Sequence, residues 1–183
     1  MQITRYNAFG YKIAKTEIEK DEIVTDENHP HYENTILISK LYNPDILKKN
    51  ITPKTVNNIW LVTEGLIEYV NLYTGTTLDW SEGYCTLDTP MPVGFWSSTH
   101  LSDSIVWCFN AFDNQDVVPV MPDVSTFRLE AGSSTTTSGQ QRIFLCSGEM
   151  SINGTAVTGS KQLIISSGKT IAATTNCYGF KFN

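Results

Sequence analysis

The 183-residue sequence predicts an all-β fold, and three observations predict it. Short runs rich in β-branched and aromatic residues recur at near-regular intervals, broken by Gly, Asn, Asp and Pro, the mark of a sandwich or barrel. Helical periodicity is absent over most of the chain. Charged residues make up only 17%, below the usual ~25%, and Ser, Thr, Asn and Gly fill the gap. A chain of this size removes roughly 70% of its extended surface from water. With 40% hydrophobic residues it can therefore hold a core without staples.

The elements follow in order. Ile3–Phe9 and Tyr11–Ile18 read as strands on either side of Gly10, and Thr35–Leu41 as a third, ended by the turn signal Tyr42-Asn43-Pro44-Asp45. Residues 44–50 carry the one short helix, with Pro44 at its start, Asp45 in its first turn and Lys48 and Lys49 near its end. Strands are then expected at Asn58–Thr63, Leu66–Leu72, Thr76–Trp80, Tyr84–Leu87, Val93–Ser97 and Ser104–Phe112. A last group is expected at Thr126–Leu129, Gln141–Cys146, Glu149–Ile152, Gln162–Ile165, Thr170–Ala173 and Tyr178–Phe182. The tract Ser133–Ser138 reads as a mobile loop.

An internal repeat organises these strands. The first copy reads Ile59-x-Leu61, Gly65, Thr74-Gly75, Leu78, Gly83, Gly94-Phe95, and the second reads Ile143-x-Leu145, Gly148, Thr158-Gly159, Leu163, Gly168, Gly179-Phe180. The offset runs from 83 to 85 residues, and the stretch from Leu78 to Phe95 recurs at Leu163–Phe180 without a gap. Two β units with turns at matching places are expected, divided as 1–103 and 104–183 or merged into one domain.

In the second copy, Ala131-Gly132, then Ile143–Glu149, then Leu163–Gly168 resemble the two motifs of the cupin family. The resemblance implies a double-stranded β-helix, the jelly-roll barrel, duplicated or two-lobed through the repeat. Its chemistry departs from the family's. The His-x-His positions of the first motif fall on Ser138 and Gln140, and the Glu falls near Phe144 or Leu145. The His of the second motif falls on Ile171, or on Thr86 in the first copy. Ser, Gln and Ile cannot replace imidazole and carboxylate ligands, so neither a metal nor any other cofactor is expected.

Charge excludes further classes. The net charge is −6, but residues 1–54 sum to zero, residues 55–125 carry nine acids and no Lys or Arg, and residues 126–183 carry five bases and two acids. This polarity lacks the basic face of a nucleic-acid binder and the polybasic anchor of a peripheral membrane protein. No window approaches a membrane span, and the N-terminal residues have no signal-peptide core. The widely spaced Cys85, Cys108, Cys146 and Cys177 contain no CxxC and are expected as buried or half-buried thiols.

Candidate sites are few. His29, His31 and Glu33 alternate and could converge on one metal from an extended segment, although Pro30 and the polar surroundings favour a solvated loop. The third histidine, His100, is distant in sequence. No nucleophile motif is present, and Asp79, Glu82 and Asp88 are more readily rim acids than a glycosidase pair. All four tryptophans fall in the acidic stretch. Trp60 and Trp107 lie in apolar runs and read as core, whereas Trp80 and Trp96 have polar neighbours and read as a surface that binds a ligand or partner, with Asp79, Glu82 and Asp88 beside them.

These observations lead to a non-catalytic structural or interaction protein. Its Asn/Thr/Ser/Tyr-rich style resembles small tailed-phage virion proteins, which implies a virion component, assembled in the host cytoplasm and docking on other protein subunits as a homo-oligomer or within a particle. The alternative is a cytoplasmic cupin-like protein that binds carbohydrate or a small molecule. A metal-dependent cupin enzyme using His29, His31 and Glu33 ranks behind both.

Overall fold

The computed structural model describes residues 2–12, 22–23, 35–44, 58–89, 92, 94–111 and 124–182. The chain is all-β, with no helix among the described residues, and divides into two compact units, residues 1–120 and 121–183. The helix expected at 44–50 lies outside the described residues beyond Pro44.

The first unit contains β1 (Gln2–Lys12), β2 (Glu22–Ile23), β3 (Thr35–Tyr42), β4 (Asn58–Glu64), β5 (Leu66–Asn71), β6 (Thr77–Ser81), β7 (Trp96–His100) and β8 (Ile105–Ala111). One sheet has the order β2-β1-β3-β8-β4, the other β6-β5-β7. Gly10 does not end a strand. β1 runs through it with a register shift against β3 between Asn7 and Lys12. β8 pairs with both β3 and β4, so the unit closes after β8 and not at residue 103. A division at 103/104 would cut this central strand from both its neighbours.

The second unit contains β9 (Val124–Leu129), β10 (Ser134–Thr136), β11 (Gln141–Ser147), β12 (Glu149–Ile152), β13 (Thr155–Thr158), β14 (Lys161–Ile165), β15 (Thr170–Ala173) and β16 (Cys177–Phe182). Its sheets run β14-β11-β16-β9 and β10-β15-β12-β13. Numbered one to eight within the unit, the strands give 6-3-8-1 and 2-7-4-5, the strand order of a jelly roll. The Ser/Thr tract is therefore no mobile loop. Ser134–Thr136 pairs with Ala172–Thr170, and the buried Thr137 donates its hydroxyl to the Ser166 carbonyl at 2.7 Å.

The first unit repeats this wiring. β3-β8-β4 corresponds to β9-β16-β11, and β6-β5-β7 to β13-β12-β15. Where β14 lies beside β11, the segment Gly83–Thr86 lies beside β4, through Val62 N–H to the Tyr84 carbonyl (2.9 Å) and Thr86 N–H to the Trp60 carbonyl (3.0 Å). The duplication is real, but its register is one residue away from the sequence match. Val62 faces Val106 and Leu145 faces Gly179, each three residues before its glycine, Gly65 or Gly148. Trp60-x-Val62 is thus the partner of Ile143-x-Leu145. The gapless match of Leu78–Phe95 to Leu163–Phe180 also joins unlike strands: Leu78 lies in β6 and Leu163 in β14, while Phe95 precedes β7 and Phe180 lies inside β16.

Each sandwich has its own core. Val62, Ile67, Tyr69, Trp80, Trp96 and Val106 are buried together in the first. Phe127, Ile143, Leu145, Met150, Ile165, Ile171, Ala173 and Cys177 fill the second. Alternate residues on the central strands, Leu61, Trp107 and Phe109 or Phe144, Phe180 and Phe182, are buried as well, so these strands read as continuous apolar runs.

Candidate functional site

The tryptophans overturn the expected surface. Trp80 is 1% exposed and Trp96 5%. Trp80 packs against Tyr69 (4.4 Å between ring centroids) and stacks on Tyr84 (4.9 Å). Asp79 and Ser81, on either side of Trp80, point the other way, into solvent. In a strand, polar neighbours mark a residue that faces inward, so neither indole offers a face to a ligand. Trp107 is buried as expected, and Trp60 is half-buried against the core. Asp79, Glu82 and Asp88 are exposed. Asp79 sits directly across from Glu68 on the β5–β6 ladder, a like-charge pair that costs a little stability.

A different aromatic pair is on the surface. At the tip of the β5–β6 hairpin, Leu72 and Tyr73 are 66% and 76% exposed, and Phe95 is 41% exposed. Tyr73 meets Phe95 edge to face at 5.2 Å, a favoured aromatic geometry. The backbone beneath is fixed at each joint. The Asn71 side-chain oxygen accepts the N–H groups of Tyr73 (2.9 Å) and Thr74 (3.1 Å). Leu72 N–H donates to the Phe95 carbonyl at 2.8 Å. Gly94 lets the chain pass so close that a Cβ there would lie 2.6 Å from Asn71 Nδ2 and 3.0 Å from Trp96 Nε1. The Trp96 indole donates to the Pro92 carbonyl at 3.1 Å. Beside the pair, the Thr74 and Thr76 hydroxyls are hydrogen-bonded to each other at 2.9 Å. The available sequence signal was the turn at Thr74-Gly75, directly after the expected strand Leu66–Leu72 and Tyr73.

His29, His31 and Glu33 lie outside the described residues. Among the described residues no three His, Cys, Asp or Glu side chains converge as a metal-ligand set. The cupin motif positions do not fit a metal. Ser138 and Gln140 are exposed, whereas Phe144, Leu145 and Ile171 are at most 1% exposed within apolar packing. Thr86 Oγ1 accepts the Trp60 N–H at 2.9 Å.

His100 serves the fold. Its Nε2 donates to the Pro44 carbonyl at 3.0 Å, and its Nδ1 lies 2.8 Å from the Ser104 hydroxyl. A carbonyl can only accept, so Nε2 carries a proton, while the Nδ1–Ser104 hydrogen bond can run in either direction. The hydrogen bond is that of a nucleophile and its base, but Ser104 is 3% exposed. Its N–H is also tied to Asn43 Oδ1 at 2.7 Å. A substrate cannot reach this hydroxyl while the loop is closed.

All four cysteines are buried thiols, none of them in a disulfide. In the second unit, a cleft of about 450 Å³ opens at the end of the β11–β16 ladder, lined by residues 138–142 with Lys181 and Phe182.

No protein-family model and no curated protein matches the sequence. Among solved structures, the bacterial pirin YhhW in complex with nickel(II) from Escherichia coli is 13% identical with a TM-score of 0.45, covering 98% of this chain and 97% of that one. GK1651 from Geobacillus kaustophilus is 8% identical with a TM-score of 0.43, covering 80% and 82%. The regulatory subunit of a cAMP-independent protein kinase A from Trypanosoma brucei is 10% identical with a TM-score of 0.31, covering 80% and 74%. The cupin-like jelly-roll architecture of this chain rests on its own strand order, 6-3-8-1 over 2-7-4-5 in the second unit.

Proposed function

We propose that the protein is a non-catalytic, cupin-like binding protein that holds a carbohydrate on the Tyr73–Phe95 corner of its first unit. One observation carries this reading: two exposed aromatic rings meet at 5.2 Å on a backbone hydrogen-bonded at every joint. Apolar surface held rigidly in solvent marks a site of recognition. An aromatic ring stacks on the apolar face of a sugar, and the Thr74 and Thr76 hydroxyls stand ready for the sugar's own hydroxyls. Among the described residues the Ser104–His100 pair is closed off, which supports a non-catalytic reading. The test is a glycan array probed with the full chain. Binding weakened about tenfold by Tyr73→Ala, with Trp80→Phe unaffected, supports the reading, since stacked aromatic contacts contribute on the order of 1 kcal/mol each. An empty array refutes it.

The charge polarity favours a second reading, an assembly protein such as a virion component. Residues 55–125 hold nine acids and no base, while residues 126–183 are net +3, which suits docking of unlike faces on neighbouring subunits. Its mark is self-association that dissolves with salt. A chain that stays monomeric from low to high ionic strength excludes this docking between copies.

A further inference from the structure

We propose that the cleft at the end of the β11–β16 ladder binds a small molecule bearing an oxyanion, a phosphate or a carboxylate. Its volume of about 450 Å³ is within the ~300–1,000 Å³ of small-ligand sites. Two cations line it, Arg142 from β11 and Lys181 from β16, together with Ser138, Gln140, Gln141 and Phe182. No acid is among these residues. Neither cation has an ion pair among the described residues, and Arg142 is exposed while Lys181 is half-buried.

The arrangement brings the two charges together without mutual cancellation. Arg142 lies directly across from Phe182, and Lys181 across from Ile143, so the two side chains leave opposite faces of the sheet and line the cleft from either side of the ladder's end, with no carboxylate in its lining. An anion in the cleft meets both cations and no opposing carboxylate. The unit's field adds to the effect, because residues 126–183 carry five bases against two acids. The remaining donors match an oxyanion as well. Ser138 and Gln140 supply hydroxyl and amide N–H groups, and Gln141 another amide. Arg142 can bind two oxygens at once. The buried Phe182 closes one wall and excludes water from one side.

The test is titration of the full chain with inorganic phosphate and, separately, with malonate, each against chloride at matched ionic strength. Binding is read by calorimetry and by the side-chain amide NMR signals of Gln140 and Gln141. Saturable binding of either anion is expected, with shifts at both glutamines and the preferred anion naming the ligand class. Arg142→Gln and Lys181→Gln should each weaken it about tenfold or more, as loss of a charged hydrogen bond does. Lys169→Gln, exposed outside the cleft, should leave it unchanged. The proposal fails if neither anion binds beyond chloride, or if binding survives both cleft variants. The glutamine shifts of the unaltered protein decide the matter even if a variant folds poorly. The cleft lies in the second unit and the aromatic corner in the first, so failure here leaves the carbohydrate reading standing, and the reverse.

Discussion

Gly65 lies against the carbonyl of Asp103 so closely that a Cβ would collide with its oxygen and come within 2.7 Å of Ser104 Cα. Gly148 stands in the same relation to Asn176 and Cys177. Both glycines have positive φ, 86° and 99°. The hydrogen bonds around them match too. Leu66 N–H donates to Ser102 Oγ at 2.9 Å, and Glu149 N–H to Thr175 Oγ1 at 2.8 Å. The returning N–H groups of Leu101 and Thr174 reach the carbonyls of Leu66 (2.9 Å) and Glu149 (2.8 Å). This joint locks the turn between the two sheets of each sandwich to the loop that enters its central strand. Gly65→Ala and Gly148→Ala should each destabilise by about 2–5 kcal/mol, from strain at positive φ plus overpacking. Gly139→Ala, with open space around it, should stay within about 0.5 kcal/mol. Urea midpoints of the three variants check this. Equal midpoints would mean that the joint relaxes freely.

Trp80 lies in the core and Tyr73 on the surface, so their removal should differ in cost. Trp80→Ala removes a core indole and should cost about 3–5 kcal/mol. Tyr73→Ala removes a side chain that is 76% exposed and should cost about 1 kcal/mol or less. Thermal melts measure both. A Trp80→Ala protein as stable as the parent would contradict the burial of the indole.

His100 ties two distant segments, the residue after Asn43 and the loop before β8. His100→Ala breaks the bonds to the Pro44 carbonyl and the Ser104 hydroxyl and should cost about 1–2 kcal/mol, as loss of two partly buried hydrogen bonds does. Hydrogen exchange at the Ser104 amide, which donates to Asn43, should accelerate in this variant. Unchanged exchange there would show that the histidine does not hold the loop.

The strands were legible because β-branched and aromatic runs are punctuated by turn residues. The duplication was legible because Gly65 and Gly148 occupy places where only glycine fits. The register was not. Ile59–Val62 and Ile143–Cys146 are apolar at every position, so nothing marks which residues face the sandwich, and a slip of one residue exchanges the faces. Trp80 was misread because polarity of adjacent residues was taken as polarity of the site, when alternation in β6 means the reverse. Ser134–Thr136 has no apolar face to announce a strand. It is held by backbone pairing with β15 and by Thr137. The cleft was invisible because Arg142 and Lys181, distant in sequence, come to one cleft only through the β11–β16 pairing.

Alkaline pH should loosen the fold through one buried acid, Cys177, and one half-buried acid, Tyr84. Cys177 is 0% exposed, with its Sγ 3.4 Å from the carbonyls of Glu149 and Thr175. Burial pushes its thiol up, and the Glu149 charge pushes it further. Burial likewise raises the Tyr84 phenol. An acid with a raised folded value keeps its proton in the folded chain after the unfolded chain has released it. Its stabilising contribution is therefore complete below the unfolded value, about 9 for the thiol, and declines as pH rises through the folded value. Urea midpoints measured from about pH 8 to about pH 10.5 should fall in the upper half of that window, and fall less in Cys177→Ala. The same burial keeps the thiolate from forming, so Cys177 in the folded protein should react with an alkylating reagent only through opening of the structure. Fast labelling of Cys177 in the native state, or a midpoint that climbs with pH, would show the thiol to be solvated and this account of it mistaken.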